Sequence, residues 1–230
     1  MRLAKPCIDV GILTNRGDQQ LEFWQREVGL KFEERLPVAR GFVQMRHALN
    51  GSVFKLNLVT APLPDPPRAG YRELWIARDG VDAPRELEDP DGNRVVLVPP
   101  GHSSVTGIAV VLAVRDAAAQ RRFYTRALGL EEAAPGTFRC GTSLYVVRED
   151  AGAHADVSRD GPGYRYTTIQ VFDCDAEHAG ILERGGSEGA PAITLGKTAR
   201  FSFVRDPDGN WIEISQRASL TGSRCPREPS

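Results

Sequence analysis

Cysteine is sparse in this sequence. Cys7, Cys140, Cys174 and Cys225 stand singly, with no C-x-x-C pair. That leaves no disulfide framework and no thiolate zinc site, and it points to a reducing cytoplasm. Long apolar runs are also missing. Nothing approaches the roughly 20 residues that cross a bilayer. The start, MRLAKPCIDVGIL, has no apolar run followed by a small-residue cleavage site. Charge of one sign is absent as well. The 29 basic and 30 acidic residues leave a formal net charge of −1, so nucleic acid has no basic footprint to bind. The four histidines are scattered, without partners at metal-ligand spacing. No G-x-S-x-G elbow or phosphate-binding loop occurs. What remains is a chain of 230 residues, 41% hydrophobic and 26% charged, the composition of a soluble globular protein. Its length suits one large or two ordinary domains.

What the sequence does have is repetition. EFWQREVGLKFEE at 22–34 resembles RFYTRALGLEEAA at 122–134, GYRELWIA at 70–77 resembles GYRYTTIQ at 163–170, and EDPDGN at 88–93 resembles RDPDGN at 205–210. Three paired landmarks in one order indicate two related halves. The interval from GYR to DPDGN is shorter in the first half.

Each half reads as repeated units of strand, helix and three strands. CIDVGILT at 7–14 alternates and is rich in β-branched residues, as a strand requires. Asp18 is a candidate N-cap, Leu21, Trp24 and Val28 share a helix face, and Gly29 ends the helix. Asn50-Gly51 suits a two-residue hairpin turn with positive φ at both centres. The second half repeats this with Asp116 as cap, a helix stop at Gly129 and a hairpin near Gly141. A further unit follows Tyr164, with an Asp175-capped helix and a hairpin over 200–216. Gly80 and Pro84 leave no room for a full helix between 71 and 98. PPGHSS at 99–104 reads as the domain boundary, which gives domains at 1–99 and 105–217, the first with an abbreviated second module. The tail at 218–230 is expected to fray.

The stretches FWQREVGL, FYTRALGL, GYR, EDPDGNRVVLV and RDPDGNWIEIS resemble the vicinal-oxygen-chelate superfamily, which includes glyoxalase I, bleomycin-resistance proteins and extradiol dioxygenases. The resemblance covers about residues 7–217. It implies an α+β fold of two tandem glyoxalase-like domains, each an open barrel of paired βαβββ modules around a cavity. Members of this superfamily pair modules between chains too, which allows a homodimer. In metal-using members each module offers one ligand from its first strand and one from its last. Carried over position by position, the first domain supplies Asp9, Asn57, Glu73 and Val96. The second supplies Ala109, then Tyr145 or Val147, then Tyr166 and Glu213. Ala109 and Tyr166 stand where an extradiol dioxygenase needs histidines, which argues against that chemistry.

A tight turn at Asn50-Gly51 places Gln44 opposite Asn57 and Arg46 opposite Lys55, on one sheet face. Met45, His47, Phe54, Leu56 and Leu58 then pack on the helix side. The first cavity is expected to gather Asp9, Gln44, Arg46, Lys55, Asn57 and Glu73. In one reading Asp9, Asn57 and Glu73 hold a divalent cation, with Mg²⁺ or Mn²⁺ favoured by an all-oxygen set, and Arg46 or Lys55 clamps an anionic group. In the other, Arg46 and Lys55 neutralise the carboxylates and no metal binds. The second cavity is expected to present Tyr145, Tyr166, Gln170, Trp211 and Glu213, as a grip for a flat ligand or as a filled core. Glu73 and Glu213 are the candidate catalytic carboxylates. The function expected is a lyase or isomerase on a small oxygenated molecule, or metal-free sequestration of a drug or metabolite.

Overall fold

The computed structural model describes residues 1–222. Strand β1 (Leu3–Thr14) leads into α1 (Gly17–Glu22), which widens into a π turn over Phe23–Glu27. Strands β2 (Phe32–Ala39), β3 (Phe42–Leu49) and β4 (Ser52–Val59) complete the first module. The second module is β5 (Tyr71–Ala77), β6 (Arg85–Glu88) and β7 (Arg94–Val98), with no helix between β5 and β6. The third is β8 (Ile108–Val114), α2 (Ala117–Arg122) with its own π turn, β9 (Glu131–Ala134), β10 (Thr137–Cys140) and β11 (Ser143–Glu149). The fourth is β12 (Gly163–Val171), α3 (Cys174–Glu183), β13 (Ser187–Leu195), β14 (Ala199–Arg205) and β15 (Trp211–Arg217), and a short α4 (Ala218–Thr221) follows.

The fold is α+β, with two curled sheets of 8 and 7 strands. The modules do not pair in sequence order, however. The first sheet runs β13-β14-β15-β12-β1-β4-β3-β2 and joins the first module to the fourth. The second runs β6-β7-β5-β8-β11-β10-β9 and joins the second to the third. The expected division into 1–99 and 105–217 therefore cuts across both sheets, and residues 99–104 link two strands of one sheet. Each sheet is completed within this single chain, because β1 pairs antiparallel with β12 and β5 with β8.

The local chemistry of the turns is as the sequence indicates. Asn50 and Gly51 have φ of 48° and 84°, the values a tight hairpin turn needs. The lead aspartate of each DPDGN turn organises it from within. Asp89 Oδ1 accepts from the amides of Asp91 and Asn93, and Asp206 Oδ1 accepts from those of Asp208 and Asn210. The turns also tie the sheets together. Gly70 N donates to Asn210 Oδ1 at 2.7 Å, and Gly163 packs so tightly on Asn93 that a Cβ there would overlap it. Tyr71 donates to the Trp211 carbonyl, and Tyr164 donates to the Arg94 carbonyl. These reciprocal contacts explain why the hairpin occurs twice.

Asp116 caps α2 by accepting from Ala119 N at 2.8 Å. The other two helix starts differ from expectation. The N-cap of α1 is Arg16, with Asp18 inside the first turn. The N-cap of α3 is Asp173, and Asp175 instead pairs with Arg200. In each case the neighbouring strand fixes where the chain can turn, and apolar spacing does not register that. The part of the tail over 218–221 is helical, and the rest of it from residue 223 lies outside the described residues. One core takes Ile8, Phe54 and Ile214 from the first sheet, Leu74 and Ile108 from the second, and Trp24 and Tyr124 from the helical segments.

Candidate functional site

Period-2 alternation leaves the other face of the first sheet free to line a hollow. On β3 and β4, Gln44 pairs with Asn57 and Arg46 with Lys55, as expected. On β12 and β15, Thr168 pairs with Glu213, and Asp9 on β1 pairs with Thr168. Four adjacent central strands thus bring Asp9, Lys55, Thr168 and Glu213 together, all of them buried.

Their contacts form a closed electrostatic set. Lys55 Nζ donates to Glu213 Oε2 at 2.8 Å and to Thr168 Oγ1 at 2.6 Å, and Thr168 donates to the same Glu213 oxygen at 2.8 Å. Asp9 Oδ1 accepts from Lys5 Nζ at 2.7 Å and from Val53 N at 2.8 Å, and its Oδ2 accepts from Gln170 Nε2 at 3.1 Å. Burial works to raise the Asp9 pKa, but the Lys5 and Lys55 ammoniums outweigh it and hold the carboxyl below its usual range. Asn57 lies beneath this floor. It donates to the Ile12 carbonyl and to the Tyr166 hydroxyl, and it accepts from Gln44.

Above the floor is a cavity of about 170 Å³. Gln44, Arg46, Lys55, Tyr166, Gln170 and Glu213 all line it, so both expected cavities contribute to one hollow. Leu13, Leu36, Val38, Phe42, Phe201 and Phe203 make its walls apolar. Arg46 and Arg217 share Glu34 Oε2, at 3.2 and 3.0 Å. Arg159 lies over the Phe203 ring, 4.4 Å from its centroid, and also over Trp211. Trp211 packs on Phe203 and donates its indole N–H to the Val157 carbonyl, so it borders the cavity without lining it.

Two expected residues lie elsewhere. Tyr145 faces the shared core, packed against Tyr124 with its hydroxyl 2.9 Å from Thr167 Oγ1. Val146, and not Tyr145 or Val147, occupies the hollow-facing register of β11, because Val111 pairs with Val146 as Gly11 pairs with Lys55. Glu73 belongs to the second sheet. Arg94 and Arg148 flank it at 3.4 Å, and Trp75 donates to it.

The two hollows can be compared position by position. In the second sheet Ala109 pairs with Trp75, and Trp75 pairs with Val96, as Asp9 pairs with Thr168 and Thr168 with Glu213. The polar quartet Asp9, Lys55, Thr168 and Glu213 is thus matched by Ala109, Val146, Trp75 and Val96, which close over apolar contacts. The polar groups of the second sheet lie beside this apolar quartet instead, at Glu73, Arg94 and Arg148.

The expected metal set of Asp9, Asn57 and Glu73 is divided between the two sheets. Among the described residues no three of His, Cys, Asp and Glu converge to hold a metal ion. The quartet does not fit a divalent cation either. It offers two carboxylates, each already engaged by its own ammonium, Asp9 by Lys5 and Glu213 by Lys55. The remaining candidates are structural. His47 is buried 3.1 Å from Gln25. His178 is buried and bonded to Glu188. Burial pushes the Cys140 thiol up to about 12, which makes it inert. Sequence reasoning missed Thr168, Lys5, Arg159 and Arg217. Aligning the GYR landmarks places Thr168 opposite Trp75 and was the available signal for it. Nothing local marked the other three.

Comparisons with known proteins bear on the family and the fold. The sequence model of the Glyoxalase/Bleomycin resistance protein/Dioxygenase superfamily matches residues 108–214. No curated protein sequence is significantly similar to the chain. Glyoxalase I from Zea mays superposes with a TM-score of 0.72 at 16% identity, over 94% of this chain and 92% of that one. A mutant of the same enzyme gives 0.72 at 15% identity, over 97% and 96%. A putative dioxygenase from Bacillus subtilis gives 0.66 at 9% identity, over 94% and 86%. Among the described residues no helix is long and apolar enough to cross a membrane. The chain thus carries a glyoxalase/bleomycin resistance protein/dioxygenase superfamily domain, matched over residues 108–214, within a fold shared with glyoxalase I over 94–97% of the chain.

Proposed function

We propose that the protein binds a small oxygenated organic molecule in the hollow of the first sheet, without a divalent metal. The observation that carries this reading is the Lys55 ammonium, fixed between Glu213 and Thr168 at the base of a cavity whose upper walls are apolar. A convergent polar base under apolar walls is the usual form of a small-molecule site. A preformed cation there stabilises oxygen-centred negative charge without needing metal uptake.

A lyase or isomerase activity is the second reading, and the same pair favours it. Lys55 would stabilise an oxyanion on the ligand, and Glu213 would move a proton to or from the adjacent carbon. The test is thermal melting of tag-free protein against a panel of small organic acids, neutral oxygenated compounds and amines, with and without chelator. A melting shift that survives chelator, with NMR perturbations at Tyr166 and Phe203, supports the reading. Absence of any saturable ligand, or a shift that chelator abolishes, overturns it. Turnover of a bound compound, lost in Glu213→Gln while binding persists, separates the enzyme from the binding protein.

A further inference from the structure

We infer that this cavity takes a hydroxylated monocarboxylate with a short branched or cyclic hydrocarbon body. The inference rests on the reading of the cavity as a ligand site and names the chemistry of its occupant. Three groups of the cavity have hydrogen-bonding or charge capacity that the protein leaves unmet.

The first is Gln170. Its Nε2 donates to Asp9, and because a carboxylate only accepts, this bond fixes the orientation of the amide. Its Oε1 is then left buried with no partner among the described residues, while the side chain forms part of the cavity wall. A buried acceptor of this kind calls for a donor such as a ligand hydroxyl. The second is Lys55. An ammonium has three N–H donors, and two of them go to Thr168 and Glu213. The third is available to an oxygen in the cavity. Both groups lie at the polar base, so a single ligand hydroxyl can accept from Lys55 and donate to Gln170.

The third is Arg159. Glu213 offsets the charge of Lys55, and Glu34 is shared by Arg46 and Arg217. Among the described residues no carboxylate lies within ion-pair distance of Arg159, whose guanidinium instead rests on Phe203 and Trp211 at the cavity wall. The cations Arg46, Lys55, Arg159 and Arg217 at the cavity exceed the carboxylates Glu213, Asp160 and the shared Glu34 by one, which favours one anionic group, and the planar fork of Arg159 suits a carboxylate. Size limits the rest. An apolar cavity of about 150 Å³ takes one benzene, so the present 170 Å³ suits a body of about six to nine non-hydrogen atoms.

The test is calorimetric titration of the full chain with three probes: leucic acid, its deoxy analogue isocaproate, and leucic amide, which lacks the charge. On the wild-type chain, leucic acid is expected to bind about tenfold or more tightly than either relative, as loss of one buried polar contact implies. Gln170→Met is expected to erase the preference for leucic acid over isocaproate, and Arg159→Ala to erase its preference over the amide. Equal binding of isocaproate overturns the hydroxyl assignment, and equal binding of the amide overturns the anion assignment. If all three fail while another compound of the broader panel binds, the inference is lost and the ligand-site reading stands. If nothing binds, both are lost. The ligand series is read on the wild-type chain, so a misfolded variant does not decide the outcome.

Discussion

Lys55 Nζ stands 2.8 Å from Glu213 Oε2, although 158 residues separate the two in the chain. Both are nearly out of contact with solvent, so the pair shapes stability as well as the site. Removing one member of a buried pair leaves an uncompensated charge, which costs about 3–5 kcal/mol. Lys55→Met and Glu213→Leu are each expected to lower unfolding stability by about that amount. The double variant is expected to lose much less than the sum. Urea denaturation of all four proteins checks this, and additive losses would rule out the coupling.

Chelation is expected to leave the protein unaffected. Since Lys5 engages Asp9 and Lys55 engages Glu213, exhaustive dialysis against EDTA should leave the melting temperature and ligand affinity where they were. Elemental analysis of the dialysed protein, paired with a melting curve, measures both. A melting drop reversed by Mg²⁺ or Mn²⁺ would contradict the assignment.

Gly11 controls the depth of the cavity. It pairs with Tyr166 across β1 and β12, and a Cβ at Gly11 would overlap the Tyr166 ring. Gly11→Ala is therefore expected to push that ring toward the cavity and to cost about 1–3 kcal/mol through overpacking. Ligand affinity should fall along with stability. A variant of unchanged stability and affinity would mean that Tyr166 does not set the cavity floor.

Asp206 gives the fold a pH signature. Burial is the largest influence on its carboxyl and pushes it up to about 6, against 3.8 for the unperturbed group, although Asn210 donates to it. Between these values the folded chain keeps a proton that the unfolded chain has lost. Asp206 therefore contributes stability at low pH that fades as pH rises through this window. The contribution is expected to reach about 3 kcal/mol. Denaturation at several pH values should show the wild type losing stability relative to Asp206→Asn between about pH 4 and pH 6. Parallel curves would show that the carboxyl titrates alike in both states.

The fold was legible because its signals are local and repeated. Asn50-Gly51, the two DPDGN turns and the alternating strands each fix their own backbone, and the duplicated landmarks expose the modules. The face shared by Gln44, Arg46, Lys55 and Asn57 followed from one turn and the pleat. Two placements share an origin. Tyr166 and Asn57 were carried to the ligand positions, whereas the residues beside Glu213 are Thr168 and Lys55. In both cases the alternation gave the correct face but not the position along the strand, since residues two apart share a face. Tyr145 was misplaced because residues 144–147 are an unbroken apolar run, which shows no alternation to read.

The sequence by itself determined the modules, their turns and the faces of their strands, because these depend on contacts between near neighbours. Which modules share a sheet was decided only in three dimensions. Long-range pairing of β1 with β12 selects the first and fourth modules as partners, and no local preference encodes that choice. The same pairing sets Asp9 beside Thr168 and carries Glu213 to Lys55, while Glu73 goes to the opposite sheet. A site assembled across a sheet depends on register between distant strands, and register belongs to the whole fold.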